Sequence, residues 1–255
     1  MPYFYKKSAV QQENPNAARR IVQTPEDIAI GDVPGKVVWF DAENIDQDAG
    51  VIQNRARTNR FMEMPFVGAM GALPFGITAI SASDLDPLAI RPEEAINPNE
   101  WSVMFVIKPV FDEVRQVLMN SRTTTDDIAP HIGLSSTGNT IYVYGTGGYD
   151  LGQPQRISYT GNFPDRAGPS LITVTFSTKE GLHIYDGRTL VATAAADKDP
   201  LEASFGAGQW EMMRFVRGLI GMGAVFSIDL HRVAYKDDFK ALQDWLIDKY
   251  KVTLP

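Results

Sequence analysis

The sequence predicts an all-β chain, an antiparallel sandwich closed by one carboxyl-terminal α-helix. Three observations carry that prediction. Short runs of alternating apolar and polar residues recur from residue 36 onward, "WSVMFVIKPV" at 101–110 being the clearest. Turns rich in Gly, Asn, Asp and Pro separate the runs with no helical pattern between them, which excludes a parallel α/β sheet. The one strong 3.6-residue pattern lies at the end, in residues 237–250.

The totals set limits on function. The chain has 255 residues, 44% of them hydrophobic and 22% charged, which suits one large β domain or two small ones. A formal net charge of −7 argues against a nucleic-acid partner, since no basic surface would offset phosphate repulsion. There is no cysteine, so disulfides and thiolate metal sites are excluded and stability must come from burial. Met1 to Lys7 is aromatic and then basic, with no apolar stretch behind it, so no signal peptide is read and synthesis in a cytosol is expected. Residues 64–83, "MPFVGAMGALPFGITAISAS", carry no charge. Pro65, Pro74 and three glycines break helical continuity there, so the stretch is read as buried strands and turns and no membrane insertion is expected.

Residues 1–35 have little periodic apolar signal. The polar run Gln11, Gln12, Asn14, Pro15 and Asn16 cannot bury enough surface to order itself, and the segment is read as an extended arm. Thr24-Pro25 could open a short helix within it. Residues 36–255 are read as the domain. "KVVWFDAENI" gives an apolar strand from Lys36. In 101–108, Trp101, Val103, Phe105 and Ile107 share one face; Met104 and Val106 leave the other partly apolar, so that it too is expected to be covered. "SLITVTFS" places Ile172, Val174 and Phe176 inward and Thr173 and Thr175 outward. "GLHIYDGRTLVATAA" is a hairpin with Asp186-Gly187 as its turn, because Gly tolerates the positive φ a tight turn needs. That register sets Ile184 opposite Thr189 and Leu182 opposite Val191, with His183 and Tyr185 facing the other way. "AVFSIDLHRV" is read as a last strand with Phe226, Ile228 and Leu230 inward and Asp229 and His231 outward. In the helix Phe239, Leu242, Leu246 and Tyr250 fall on one face, and its acidic start and basic end suit the helix dipole.

Four of these segments, in this order, resemble the concanavalin A-like, laminin-G-like jelly-roll family. "VWFDAENI" looks like its opening strand, "WSVMFVIKP" like its central strand, "GLHIYDGRTLVA" like its hairpin, and "FSIDLHRVAYKDDFKALQDWLIDKYKV" like its closing strand and helix. The similarity covers residues 36–252 and leaves the arm outside. It implies a concanavalin A-like jelly-roll sandwich preceded by an arm. Such domains recur in bacteriophage virion proteins, adhesins and glycan-binding modules, and some relatives hydrolyse glycosides.

Chemistry is sparse. The retaining glucanases of this fold carry Glu-x-Asp-x-(x)-Glu on one strand, and that triplet does not occur; Glu43-Asn44-Ile45-Asp46 has the wrong spacing. His131, His183 and His231 have no metal-ligand spacing and are read as surface or edge residues. Asp41, Asp46 and Asp48 could supply oxygen ligands but are read as surface carboxylates in a turn. No catalytic residue, metal or cofactor is expected. Glycan binding has candidates in Tyr142, Tyr144, Tyr149, Asp150 and Trp210, aromatics and a carboxylate at strand or loop positions.

These readings lead to a non-enzymatic bacteriophage virion structural protein: a capsid decoration, collar, or tail or fibre component. It would dock on other virion proteins through Tyr3, Phe4, Tyr5, Lys6, Lys7, Arg19 and Arg20 and form a homo-oligomer within the assembly. The alternative is a glycan-binding adhesion module for host attachment; a glycoside hydrolase ranks third.

Overall fold

In the computed structural model, residues 33–48, 50–56, 62–65, 69–81, 88–90, 99–110, 116–122, 128–144, 157–195, 209–214 and 216–255 are described. The arm residues Tyr3, Phe4, Tyr5, Lys6, Lys7, Arg19 and Arg20, the Thr24 helix start, and Tyr149 and Asp150 lie outside them. The first strands are β1 (Lys36–Asp41), β2 (Ile45–Asp46), β3 (Val51–Asn54), β4 (Met62–Pro65), β5 (Ala69–Leu73), β6 (Ile77–Ser81) and β7 (Leu88–Ile90). Next come β8 (Glu100–Pro109), β9 (Gln116–Arg122), β10 (Ile128–Leu134), β11 (Thr140–Tyr144) and β12 (Ile157–Thr160). The last are β13 (Ser170–Ser177), β14 (Gly181–Asp186), β15 (Thr189–Ala194), β16 (Gln209–Arg214) and β17 (Gly218–Phe226), followed by helix α1 (Lys236–Tyr250).

All pairing among the described residues is antiparallel. An eight-stranded sheet runs β15-β14-β13-β8-β17-β6-β5, with β1 also paired to β17. A six-stranded sheet runs β12-β11-β10-β9-β16-β7, and β2, β3 and β4 form a small third sheet. The chain is therefore an antiparallel β-sandwich of jelly-roll type with one carboxyl-terminal helix. The uncharged stretch 64–83 supplies β5, β6 and their tight connection, as strands and turns. No described helix is long and apolar enough to cross a membrane.

Alternation in β8 decides where the cores sit. Trp101, Val103, Phe105 and Ile107 point between the two large sheets, where they meet Ile172, Val174, Leu182 and Ile184 from their own sheet. Leu118, Ile132, Ile141 and Val143 come from the other. The opposite face of the larger sheet is just as apolar: Trp39, Met104, Val106, Ala224 and Phe226 pack under Phe239, Leu242, Leu246 and Tyr250 of α1. The second face is covered, as Met104 and Val106 foretold. A fully buried side chain of this size contributes about 1.5–3 kcal/mol through the hydrophobic effect, so each layer is a substantial core.

Two local readings are corrected. The hairpin register is Asp186↔Thr189 and Ile184↔Ala192, with a bulge between Ile184 and Tyr185, so the two-residue loop is Gly187-Arg188 and not Asp186-Gly187. Gly187 does take a positive φ, +60°, and a Cβ there would sit 2.5 Å from Leu254. The backbone conformation selects glycine, while the exposed end of Leu254 could swing aside. The last strand ends at Phe226, and residues 227–230 turn back over the sheet. Asp229 and Leu230 are consequently both buried, where a continued strand would have put them on opposite faces.

Candidate functional site

The six-stranded sheet presents the first candidate. In β11, Ile141 and Val143 are buried in the sandwich and Tyr142 is half-buried on the opposite face. Its register partners are Gly133 on β10 and Ser158 on β12, so the aromatic ring rises between two small residues. Ser158 and Thr160 are exposed, and Thr140, two residues before Tyr142, shares a 2.8 Å hydroxyl contact with Thr160. An aromatic face bordered by hydroxyls suits a sugar, whose C–H faces stack on rings while its hydroxyls take hydrogen bonds. Tyr144 lies on the same strand, paired with His131, and Trp210 lies on β16, paired with Ser121 and Ile90. Ser158, Thr140 and Thr160 escaped sequence reading. Their signal was the alternation of "TIYVY" at 140–144 and "ISYT" at 157–160, in which Ile141, Val143, Ile157 and Tyr159 face the core.

The second candidate lies under the strap of residues 227–232. His183, expected at the surface, is only 4% exposed, because the strap covers its strand. Its ring stacks on that of His231 with centroids 3.7 Å apart and planes 14° from parallel. Tyr185 hydroxyl and His231 Nδ1 form a short hydrogen bond, and the His231 amide donates to Asp229 Oδ1 at 2.9 Å. Glu180 Oε2 lies 3.8 Å from His231 Nε2. Burial foremost, then the neighbouring His231, holds His183 down to about 4, with Asp229 opposing. Burial, reinforced by Asp229 and Glu180, pushes the Tyr185 phenol up to about 12. Thr173 and Thr175, expected outward, are buried on this same covered face.

The buried carboxylates described are Asp41, Asp186 and Asp229, and none is set up as an acid–base pair. Asp41, expected as a surface turn carboxylate, is 0% exposed. It caps the short helical turn that follows through the Glu43 amide and accepts from Lys249 at 2.5 Å and Tyr250 at 2.6 Å. It locks the opening strand to the final helix. Asp186 is held by the Arg166 guanidinium at 2.7 and 2.5 Å. Burial would lower Arg166, but the hydrogen bonds and charge of Asp186 outweigh it and raise the guanidinium. Asp46 and Asp48 are exposed. No group of three or more His, Cys, Asp or Glu among the described residues could hold a metal ion.

No protein-family model matches the chain, and no curated protein matches it by sequence. Solved structures do. The chain is similar to the binding domain of botulinum neurotoxin DC solved in complex with rat synaptotagmin II, at 15% identity and a TM-score of 0.59, covering 83% of this chain and 52% of that one. The same domain solved in complex with SialylT gives 16% identity and 0.60, with 85% and 52% covered. A structure reporting that cell entry of botulinum neurotoxin type C depends on two ganglioside molecules gives 13% and 0.58, with 83% and 51% covered. What is shared is the fold. It is a β-sandwich of jelly-roll type, carried in the first two by a binding domain. The chain spans about half the length of these neighbours.

Proposed function

We propose that this protein is a non-enzymatic binding module that attaches a bacteriophage particle to a glycan-bearing surface. The observation that carries the glycan reading is the asymmetry of the two large sheets. The eight-stranded sheet has apolar cores on both faces, whereas the six-stranded sheet turns Tyr142, Ser158, Thr140 and Thr160 away from the core. An aromatic ring with exposed hydroxyls beside it on an outer face is the arrangement a sugar can stack on and hydrogen-bond to. The neighbouring structures support a recognition role, one being a binding domain in complex with rat synaptotagmin II and another tied to interaction with two ganglioside molecules. The virion setting, synthesis in the host cytoplasm and docking through residues 1–35 rest on the family resemblance and on the composition of the arm.

A glycan array probed with the full chain tests the first part. Binding to at least one glycan class is expected, with Tyr142→Ala weakening it about tenfold or more, since an aromatic platform contributes on the order of 1–3 kcal/mol. A chain that binds no glycan, or a variant that binds as well as the parent, would remove the assignment. Deletion of residues 1–35 tests the second part: the shortened chain should fold, keep its glycan binding and fail to enter particles. Incorporation at parental occupancy would show that the arm does not dock.

A further inference from the structure

The pair of stacked histidines plays no part in the glycan surface, yet it sits at the junction of four segments. His183 and Tyr185 come from β14 and Glu180 from the turn before it. Asp229 and His231 come from the strap, and α1 brings Phe239 edge-on to Tyr185 with ring centroids 5.1 Å apart. The strap is otherwise tied by Ser102 Oγ, which donates to the Ile228 carbonyl at 2.8 Å and accepts from the Leu230 amide at 2.9 Å. Arg232 pairs with Glu100 at 2.8 Å.

We propose that the His183–His231 stack is an acid-operated latch: neutral, it holds the strap and the helix behind it on the sheet; doubly protonated, it releases them. The geometry supplies the reason. Glu180 faces the His231 ring at 3.8 Å, so the charge of a first proton there has a carboxylate beside it, and Asp229 accepts from the His231 backbone amide. A second proton must go to His183, which is buried, whose Nδ1 has no hydrogen-bond partner, and whose ring lies flat against the first. Two like charges on rings 3.7 Å apart, one of them buried, repel strongly. The unfolded or detached strap leaves both rings in water, where each takes a proton near the ordinary pKa of about 6.5.

The sign follows from linkage. His183 is lowered in the folded state to about 4, so its contribution is whole above about pH 6.5 and drains away as the pH falls toward 4. The full span corresponds to about 300-fold in the closing equilibrium. Opening would uncover Trp39, Met104, Val106 and Phe226 while the core between the two large sheets stays packed. The ion pairs Asp41–Lys249 and Glu100–Arg232 also hold the helix and the strap, so the test must isolate the imidazoles.

Hydrogen exchange of the full chain provides it, comparing amides of 236–250 with those of 140–144 between pH 7.5 and 5, corrected for intrinsic rates. The helix-to-sheet protection ratio should fall at least tenfold in the parent. In His183→Phe, which keeps a flat ring and cannot be protonated, it should change less than threefold. A parent ratio that stays level, or a variant that loses protection like the parent, overturns the latch. Should His183→Phe fail to fold, imidazole resonances of the parent decide the matter. The His183 ring must stay neutral until the helix signals disappear; His183 and His231 both titrating near pH 6.5 with the helix in place overturn the proposal.

Discussion

Replacing Arg166 with Met is expected to lower the free energy of unfolding by about 3–5 kcal/mol, the cost of stranding one partner of a buried ion pair. The guanidinium is 8% exposed and the Asp186 carboxylate 0%. Both carboxylate oxygens accept from Arg166, which also donates to the Gly161 carbonyl at 2.8 Å, Ser170 Oγ at 3.1 Å and the Thr253 carbonyl at 3.4 Å. Its plane lies over the Phe163 ring, 4.8 Å from the centroid. One side chain thus ties the connection before β13, the end of β14 and the carboxyl-terminal tail. Met fills the volume but leaves the buried Asp186 carboxylate without its guanidinium partner. Urea unfolding of the parent, Arg166→Met and the double variant Arg166→Met/Asp186→Leu separates the causes. The double variant should recover most of the loss, because replacing both partners removes the buried charge altogether. A single-variant loss under about 1 kcal/mol would mean that the pair is solvated as surface pairs are.

The sandwich was legible because alternation is a local signal. Trp101, Val103, Phe105 and Ile107 announce their face within seven residues, and the structure puts all four in one core. The helix face was legible for the same reason, from Phe239 to Tyr250. What covers a face is not local. Alternation correctly set His183 apart from Leu182 and Ile184, but the surface assigned to it fails because the strap folds back from 44 or more residues later in the chain. Asp41 was misread likewise, since its partners Lys249 and Tyr250 stand 208 and 209 residues away. The hairpin loop was placed one position early because Gly187 opens the two-residue loop and does not close it. The bulge beyond Tyr185, which leaves no mark in a pattern of two, shifts the pairing further. At the glycan surface Tyr142 was found from its strand, whereas Gly133 and Ser158 become its neighbours only through pairing across β10, β11 and β12.

Leu246→Ala is expected to cost about 2–5 kcal/mol, the range for a leucine removed from a packed interior. Leu246 is 0% exposed and belongs to the layer that joins α1 to the eight-stranded sheet, among Trp39, Phe226, Leu242 and Tyr250. The loss has two sources: the transfer of the deleted groups to water, and the cavity left where neighbours cannot close in. Closure is poor here, because the helix is pinned at several points. Tyr250 and Lys249 hold Asp41, and Gln243 Nε2 donates to the Gly187 carbonyl at 2.8 Å, so α1 cannot slide to fill the gap. The upper half of the range is therefore the expectation. Leu190→Ala on β15 provides the control: that side chain is 44% exposed, and its removal should change stability by about 0.5 kcal/mol or less. Equilibrium urea unfolding of the two variants beside the parent reads both numbers. If Leu246→Ala and Leu190→Ala cost the same, the helix is a loose attachment and the second core contributes little. A large difference makes α1 part of the folding unit, held to the eight-stranded sheet by its buried face.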